Sequence, residues 1–355
     1  MIDEARKEIY YDFTSGNTFQ ACKEKQRLGG VRGWKTQRPG IALDFGHAIH
    51  AGWAAYYDAL AGGYRDNDGS WHLEPGINAV VAAQAAFLRD LKVDAKGDLV
   101  LPLTLESGER RSIERGMALL RAYAKRWGNE PYKNVLRPDG SPLTEVGFKF
   151  LLAEAFGYKI IHVGYIDRIM ESRLTGRPSI VEGKTTTSGT EQFARQVKPN
   201  NQITTYFKPA NALMKELGLP EITECNWDTM FISDRKPDLN KGLLDPFWNY
   251  GISVSGDEKV KSDFKRTITT RSKTDVSELL VDAEANAVDY AKWLLSGVRR
   301  WPRSTGACHS YGGCQFRDRC SLNLDEAEER AFMETYFKVE HWQPWKKIME
   351  RENDS

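Results

Sequence analysis

The chain has 355 residues, of which 41% are hydrophobic and 28% charged. That is enough apolar material for a large core, and it excludes a disordered chain. Lys and Arg number 50 against 49 Asp and Glu, a formal net charge of +1, so bulk charge draws no polyanion and any nucleic-acid surface has to be a local patch.

The opening stretch MIDEARKEIYYDF is charged and lacks an apolar h-region. The longest nearly apolar run, residues 77–88, is too short to span a bilayer. The expectation is a cytoplasmic protein with no membrane partner. Residues 1–15 read as helical or extended. Residues 43–60 (LDFGHAIHAGWAAYYDAL) predict a helix with Asp44 as its N-cap. Residues 62–75 are turn-rich, 77–91 and 110–127 predict two more helices, and 137–142 (RPDGSP) mark a turn.

The character changes at residue 143. FKFLLAEAF, YKIIHVGYIDRIM and PSIVEGKT read as three strands, with LTGRP at 174–178 as the turn between the last two. Residues 200–217 predict a helix that Pro209 kinks or breaks. Strands are expected at 227–234 and 247–255, a long helix at 276–295, and a helix after residue 323. The order implies an α/β fold with a mixed sheet and helices on it.

Three polar residues interrupt the second and third of those strands. Glu182 and Lys184 are two apart and share a face. If the strands pair about LTGRP, Asp167 lies beside Glu182. Two adjacent carboxylates repel unless a cation sits between them. A hard divalent ion such as Mg²⁺ or Mn²⁺ takes oxygen ligands of this kind, and a nearby Lys can orient a water for attack at phosphorus. The competing reading is a solvated ion-pair network on a hairpin.

G-Y-I-D-R (164–168) followed by I-V-E-G-K-T (180–185) resembles the PD-(D/E)XK nuclease motif in its RecB-like exonuclease form. Two further signatures of that branch occur in order. F-G-H-A-I-H (45–50) resembles its G-x-x-x-H helix motif, and Q-I-T-T-Y (202–206) its Q-x-x-x-Y motif. The resemblance implies a restriction-endonuclease-like core with His50, Asp167 and Glu182 on the metal and Lys184 activating water. It also implies that Gln202 and Tyr206, which share a helix face, position the substrate strand. Glu145 and Arg168 are further candidates, the first for the metal and the second for DNA. His47 is left as a surface neighbour of His50. His162 lies an odd number of residues from Asp167 and is expected in the core.

Cys308, Cys314 and Cys320 are spaced C-x₅-C-x₅-C, and Cys22 lies far upstream. Four thiolates can bind zinc or an iron–sulfur cluster; four reduced thiols are the alternative. Cys225, alone before a strand, reads as a buried apolar thiol. The distribution resembles the iron–sulfur members of the RecB-like family, including the CRISPR-associated exonucleases. It implies a [4Fe-4S] cluster that joins the chain ends, with Zn²⁺ as the alternative and His309 as a substitute zinc ligand. The spacing departs from the commoner C-x₂-C-x₅-C of that group.

The expected organisation is one nuclease domain over 1–330, with a helical insertion at 63–140, the cysteine motif at 300–323 and a helical tail at 331–355. Two basic stretches, 259–273 and 299–303 (RRWPR), are candidate phosphate contacts, and the Trp of the second a candidate base-stacking residue. Together these imply a nuclease acting on DNA ends, with recombination or replication proteins as partners. The alternatives are a structure-specific endonuclease and a non-catalytic DNA-binding protein that keeps the fold.

Overall fold

The computed structural model describes residues 2–37, 40–94, 96–104, 109–188, 193–232, 264–322, 324–341 and 343. It is a mixed α/β fold with a mixed central sheet flanked by helices. The chain forms two compact units. The first comprises Met1–Arg38, Gly147–Tyr165 and Thr274–Ser355, the second Pro39–Val146 and Ile166–Lys273.

In chain order the strands begin with β1 (Ile2–Asp3), β2 (Glu8–Tyr11), β3 (Trp34–Thr36), β4 (Gly63–Arg65), β5 (Trp71–Leu73) and β6 (Tyr132–Asn134). They continue with β7 (Thr144–Ala155), β8 (Tyr158–Ser172), β9 (Pro178–Thr186), β10 (Glu224–Phe231), β11 (Phe264–Thr270) and β12 (Phe337–Val339). The first five helices are α1 (Phe13–Ala21), α2 (Lys23–Gln26), α3 (Ile41–Leu60), α4 (Ala79–Arg89) and α5 (Ile113–Arg126). The predicted helices are therefore present, within two or three residues at each end. Asp44, however, is not an N-cap. Gly40 holds that position, and Asp44 lies buried in the first turn. The strand expected at 247–255 and most of the tail at 331–355 fall outside the described residues. Glu326–Tyr336 is a helix closed by a capping box between Asp325 and Glu328.

In the second unit, β8 and β9 form the expected antiparallel hairpin, with Arg168 opposite Val181 and Glu171 opposite Pro178. β9 then pairs in parallel with β10. A parallel pair needs a crossover, and the helix Asn201–Glu216 lies in it, started by the Asn200 side chain on the Ile203 amide (3.0 Å). Pro209 stands inside this helix, which continues to Glu216. β11 closes the run antiparallel to β10. Sequence pattern did not show β11, because its residues FKRTITT read as a basic stretch.

Helices α3, α4 and α5 supply most of the core of this unit. Phe45, Ile49, Trp53 and Tyr57 of α3 pack with Phe87 of α4, with Leu119 and Tyr123 of α5, and with Val181 and Met230 of the sheet. Residues 63–140 thus build one wall of the core as well as carrying the small hairpin β4–β5.

In the first unit, β2 pairs in parallel with Lys159–His162 of β8, and β1 pairs with β2. His162 is buried there, as its parity predicts, against Phe148 and Phe150. The long helix Lys273–Leu295 buries Ala287, Tyr290 and Ala291 against Phe19 and Trp301. The chain ends meet within this unit. β3 pairs antiparallel with β12, and Leu28 packs with Phe316, Met333 and Phe337. Beneath them lies a buried ion network in which Glu24 and Glu329 each face Arg27 and Arg319. Arg27 meets Glu24 at 2.7 Å and Glu329 at 3.3 Å, while Arg319 meets Glu24 at 3.5 Å and also pairs with Glu329.

Candidate active site

All the residues that the PD-(D/E)XK resemblance implicates lie in the second unit. His50 comes from α3, Glu145 from the start of β7, Asp167 from β8, Glu182 and Lys184 from β9, and Gln202 and Tyr206 from the helix Asn201–Glu216. Hairpin register does the assembling. With Arg168 opposite Val181, Asp167 falls beside Glu182, and its Oδ2 accepts the Gly183 amide at 2.7 Å. Gly183 must be glycine for packing, since a Cβ there would lie 2.4 Å from the Trp53 ring.

The ligand atoms of His50, Glu145 and Asp167 all lie within 4.8 Å of one another. Glu182, expected on the metal with His50 and Asp167, is not in that group, and Glu145 is. His50 Nδ1 is 3.4 Å from Asp167 Oδ2. Glu145 has φ of 46°, the left-handed region that a non-glycine residue rarely enters. Lys7 and Phe156 share such a positive φ; the distance of its carboxyl from His50 and Asp167 is what makes Glu145 part of the cluster. Lys184 Nζ donates to Glu182 Oε1, and Gln202 Nε2 donates to the same oxygen at 3.0 Å. Gln202 Nε2 also donates to the Tyr206 hydroxyl at 2.6 Å. The second oxygen, Glu182 Oε2, is buried with no hydrogen-bond partner among the described residues. An ionised carboxylate oxygen left in that state is costly, so the donor set fits a hard cation better than it fits a closed hydrogen-bond network.

The charges do not balance. Burial raises Glu182, and the Asp167 charge adds to this, so that even with Lys184 beside it the carboxyl is pushed up to about 7. Burial and Asp167 lift Glu145 to about 8. Burial opposes ionisation of Asp167 as well, but His50 and Lys184 outweigh it and bring Asp167 down to about 2. His50 and Lys184 are disfavoured as cations by burial, yet the facing carboxylates raise both. Burial and mutual repulsion thus favour the protonated forms of Glu145 and Glu182 and the ionised form of Asp167. A divalent ion would displace those protons, because its charge inverts the local pKa order.

Arg168 is not available to DNA. It is 2% exposed and donates to Asp228 Oδ2 at 2.6 Å. The basic stretches also change meaning. Of 259–273, residues 259–263 lie outside the described residues, while Arg266 pairs with Glu130 and Asp228, and Arg271 is buried against Thr204. In 299–303, Trp301 is 5% exposed and belongs to the core. Arg299 pairs with Glu329, Arg300 with the Leu324 carbonyl, and Arg303 with the Cys320 carbonyl. The three arginines tie this stretch to residues 320–329, and Trp301 packs on Phe19.

Cys22, Cys308, Cys314 and Cys320 all belong to the first unit, and all are free thiols. Cys314 and Cys320 pack beside Phe316 and Met333. The Cys314 amide donates to the Cys308 carbonyl at 2.9 Å, which ties two of the four backbones together. Four zinc-bound thiolates lie roughly 3.8 Å apart at the usual Zn–S length. Among the described residues, no three of the four sulfurs come within 4.8 Å. His309 joins no such group either. Cys225 is buried, as expected for an apolar thiol.

Sequence reading missed Trp53 and Asp228. Trp53 touches Gly183 and lies 5.3 Å from the His50 ring. Asp228 had one visible signal, a lone carboxylate inside the apolar strand WDTMF. No helix among the described residues is long and apolar enough to cross a membrane. Comparison with protein-family models and with curated proteins gives no match.

Proposed function

We propose that the protein is a metal-dependent nuclease that hydrolyses phosphodiester bonds in DNA and works from strand ends. The observation that carries this reading is the cluster of His50, Glu145 and Asp167, whose ligand atoms lie within 4.8 Å of one another, together with the Glu182–Lys184 pair, whose Glu182 Oε2 is buried without a hydrogen-bond partner among the described residues. His50, Glu145, Asp167 and Glu182 would hold Mg²⁺ or Mn²⁺, and the ion would supply charge stabilisation to the phosphate oxygens. Lys184 holds a water in line for attack through its ammonium protons. Gln202 fixes Glu182 by a hydrogen bond and leaves its second oxygen free. Tyr206, buried and pushed well above its ordinary pKa, stays protonated and keeps its partner Gln202 in place. On the resemblance alone, Cys22, Cys308, Cys314 and Cys320 of the first unit would hold an iron–sulfur cluster; among the described residues no three of their sulfurs lie within 4.8 Å of one another.

The test is degradation of end-labelled linear DNA and of closed circular DNA, single- and double-stranded, with Mg²⁺ or Mn²⁺. The reading expects loss of linear substrate only, and no loss with Lys184→Ala. Cleavage of circles would make the protein an endonuclease. No cleavage of either form by folded, metal-loaded protein would leave a binding protein. Broad visible absorbance of protein purified without oxygen, absent from Cys314→Ala, is the expected sign of the cluster.

A further inference from the structure

A salt bridge runs across the back of Glu182. Arg168 stands on β8 opposite Val181, and Asp228 stands on β10 in register with Gly183. The two side chains therefore reach over β9 between Val181 and Gly183, the neighbours of Glu182, and meet at 2.6 Å. Asp228 is 0% exposed. Its Oδ2 also takes the Tyr123 hydroxyl from α5 and lies 3.2 Å from Arg266 Nε of β11. Arg266 continues to Glu130, which accepts from Tyr57 at 2.8 Å. The Arg168 guanidinium lies over the Tyr57 ring at 4.5 Å and the Trp53 ring at 5.6 Å. Trp53 is the residue against Gly183 and His50.

We infer that Arg168 and Asp228 are positioning residues for the metal site, a clamp that sets the distance and register between Asp167 and Glu182. Asp167 is the chain neighbour of Arg168 on β8, so anchoring the Arg168 side chain between Asp228 and the Tyr57 ring holds the backbone from which Asp167 projects. A slip of one residue would turn every side chain of β8 to the wrong face. The clamp ties β8 to β10 across the one strand that bears Glu182 and Lys184. It also loads Trp53, and through it the His50 ring, from the same guanidinium. This inference rests on the cation site proposed above. Neither residue touches the metal or the DNA; both act through the ligands, as outer partners of metal sites do.

Two variants separate positioning from mere stability. Asp228→Asn removes the clamp, and Glu130→Gln weakens the same buried network at its far end. Each is measured for thermal unfolding, Mn²⁺ affinity by titration, and DNA cleavage across Mn²⁺ concentrations. Both should unfold at lower temperature than the native protein. Only Asp228→Asn should weaken Mn²⁺, by about 10- to 100-fold, with cleavage recovering as Mn²⁺ is raised. Unchanged Mn²⁺ affinity in folded Asp228→Asn, or equal weakening by both variants, overturns the clamp. If Asp228→Asn does not fold, Arg168→Lys, which keeps the charge but not the reach, is held to the same outcomes. Native protein that binds Mn²⁺ without cutting DNA would refute the nuclease reading and leave the clamp standing. Native protein that does not bind Mn²⁺ would refute both.

Discussion

Two clusters of buried charge in this molecule look alike in composition and differ in balance. In the first unit, Glu24 and Glu329 face Arg27 and Arg319, and every charge has an opposite charge within 3.5 Å on both sides. Despite burial, which raises it, Arg319 brings Glu329 below its ordinary pKa. In the second unit, Glu145, Asp167 and Glu182 face Lys184 and His50, and the Arg168 guanidinium also lowers Glu145 and Asp167. Two of those carboxyls are pushed to about 8 and about 7, and one oxygen has no partner. Buried nitrogens without a hydrogen-bond partner, Arg27 Nη1 and Arg319 Nε, occur among the described residues of the first cluster too; what sets the second apart is its excess of carboxyl groups, which something positive would offset.

The sharpest way to break the comparison is to remove one charge from each. Lys184→Ala should cost roughly 10³-fold in cleavage rate while the protein stays folded, as judged by circular dichroism. Glu329→Gln should do the reverse. It leaves Arg319 and Arg27 short of a partner and should destabilise the first unit by about 3–5 kcal/mol in chemical denaturation. Its cleavage rate per folded molecule should be native. Strong loss of activity in Glu329→Gln would show that the balanced cluster also serves the chemistry.

Acidity distinguishes the clusters next. Glu329 has a folded pKa below its unfolded one, so its contribution is present above 4.5 and lost as pH falls through the lowered value. Glu145 and Glu182 have raised folded values. Their contribution is present below 4.5 and lost as pH rises through about 7 and about 8. Thermal melts of metal-free protein should show the site's share of stability falling between pH 6 and 8. Mn²⁺ should restore it, by about 2.7 kcal/mol at one hundred times its dissociation constant; at one fixed Mn²⁺ concentration the melting shift should be larger at pH 8 than at pH 6, because fewer protons have to be displaced there. An equal or smaller shift at pH 8 would contradict those raised carboxyls. The smallest effect belongs to Glu145→Gln. At pH 8 it should melt slightly higher than native protein without metal and gain less from Mn²⁺.

The two clusters were not equally legible in the sequence. Asp167, Glu182, Lys184, Gln202 and Tyr206 sit in short local patterns, and a hairpin with a five-residue turn brings most of them together. His50 was legible because F-G-H-A-I-H (45–50) resembles the G-x-x-x-H motif. Glu145 became convincing only through the fold, which brings its carboxyl within 4.8 Å of the His50 and Asp167 ligand atoms. Arg168 looked like a DNA contact because it follows Asp167; alternation sends it to the opposite, buried face instead. The network at the chain ends was invisible, since Glu24 and Glu329 meet across 305 positions and only the fold pairs them. RRWPR and the stretch around Arg266 were misread for the same reason. Basic density along a chain says nothing about which side chains the fold will bury.

The most direct test of the account is a Mn²⁺ titration by calorimetry at pH 7, in two buffers of different ionisation enthalpy, on native protein and on Asp167→Asn. The account predicts one saturable site with protons released on binding, since Glu145 and Glu182 must give theirs up, and loss of that site in the variant. Saturable binding with no proton release, or the same binding in Asp167→Asn, would contradict it.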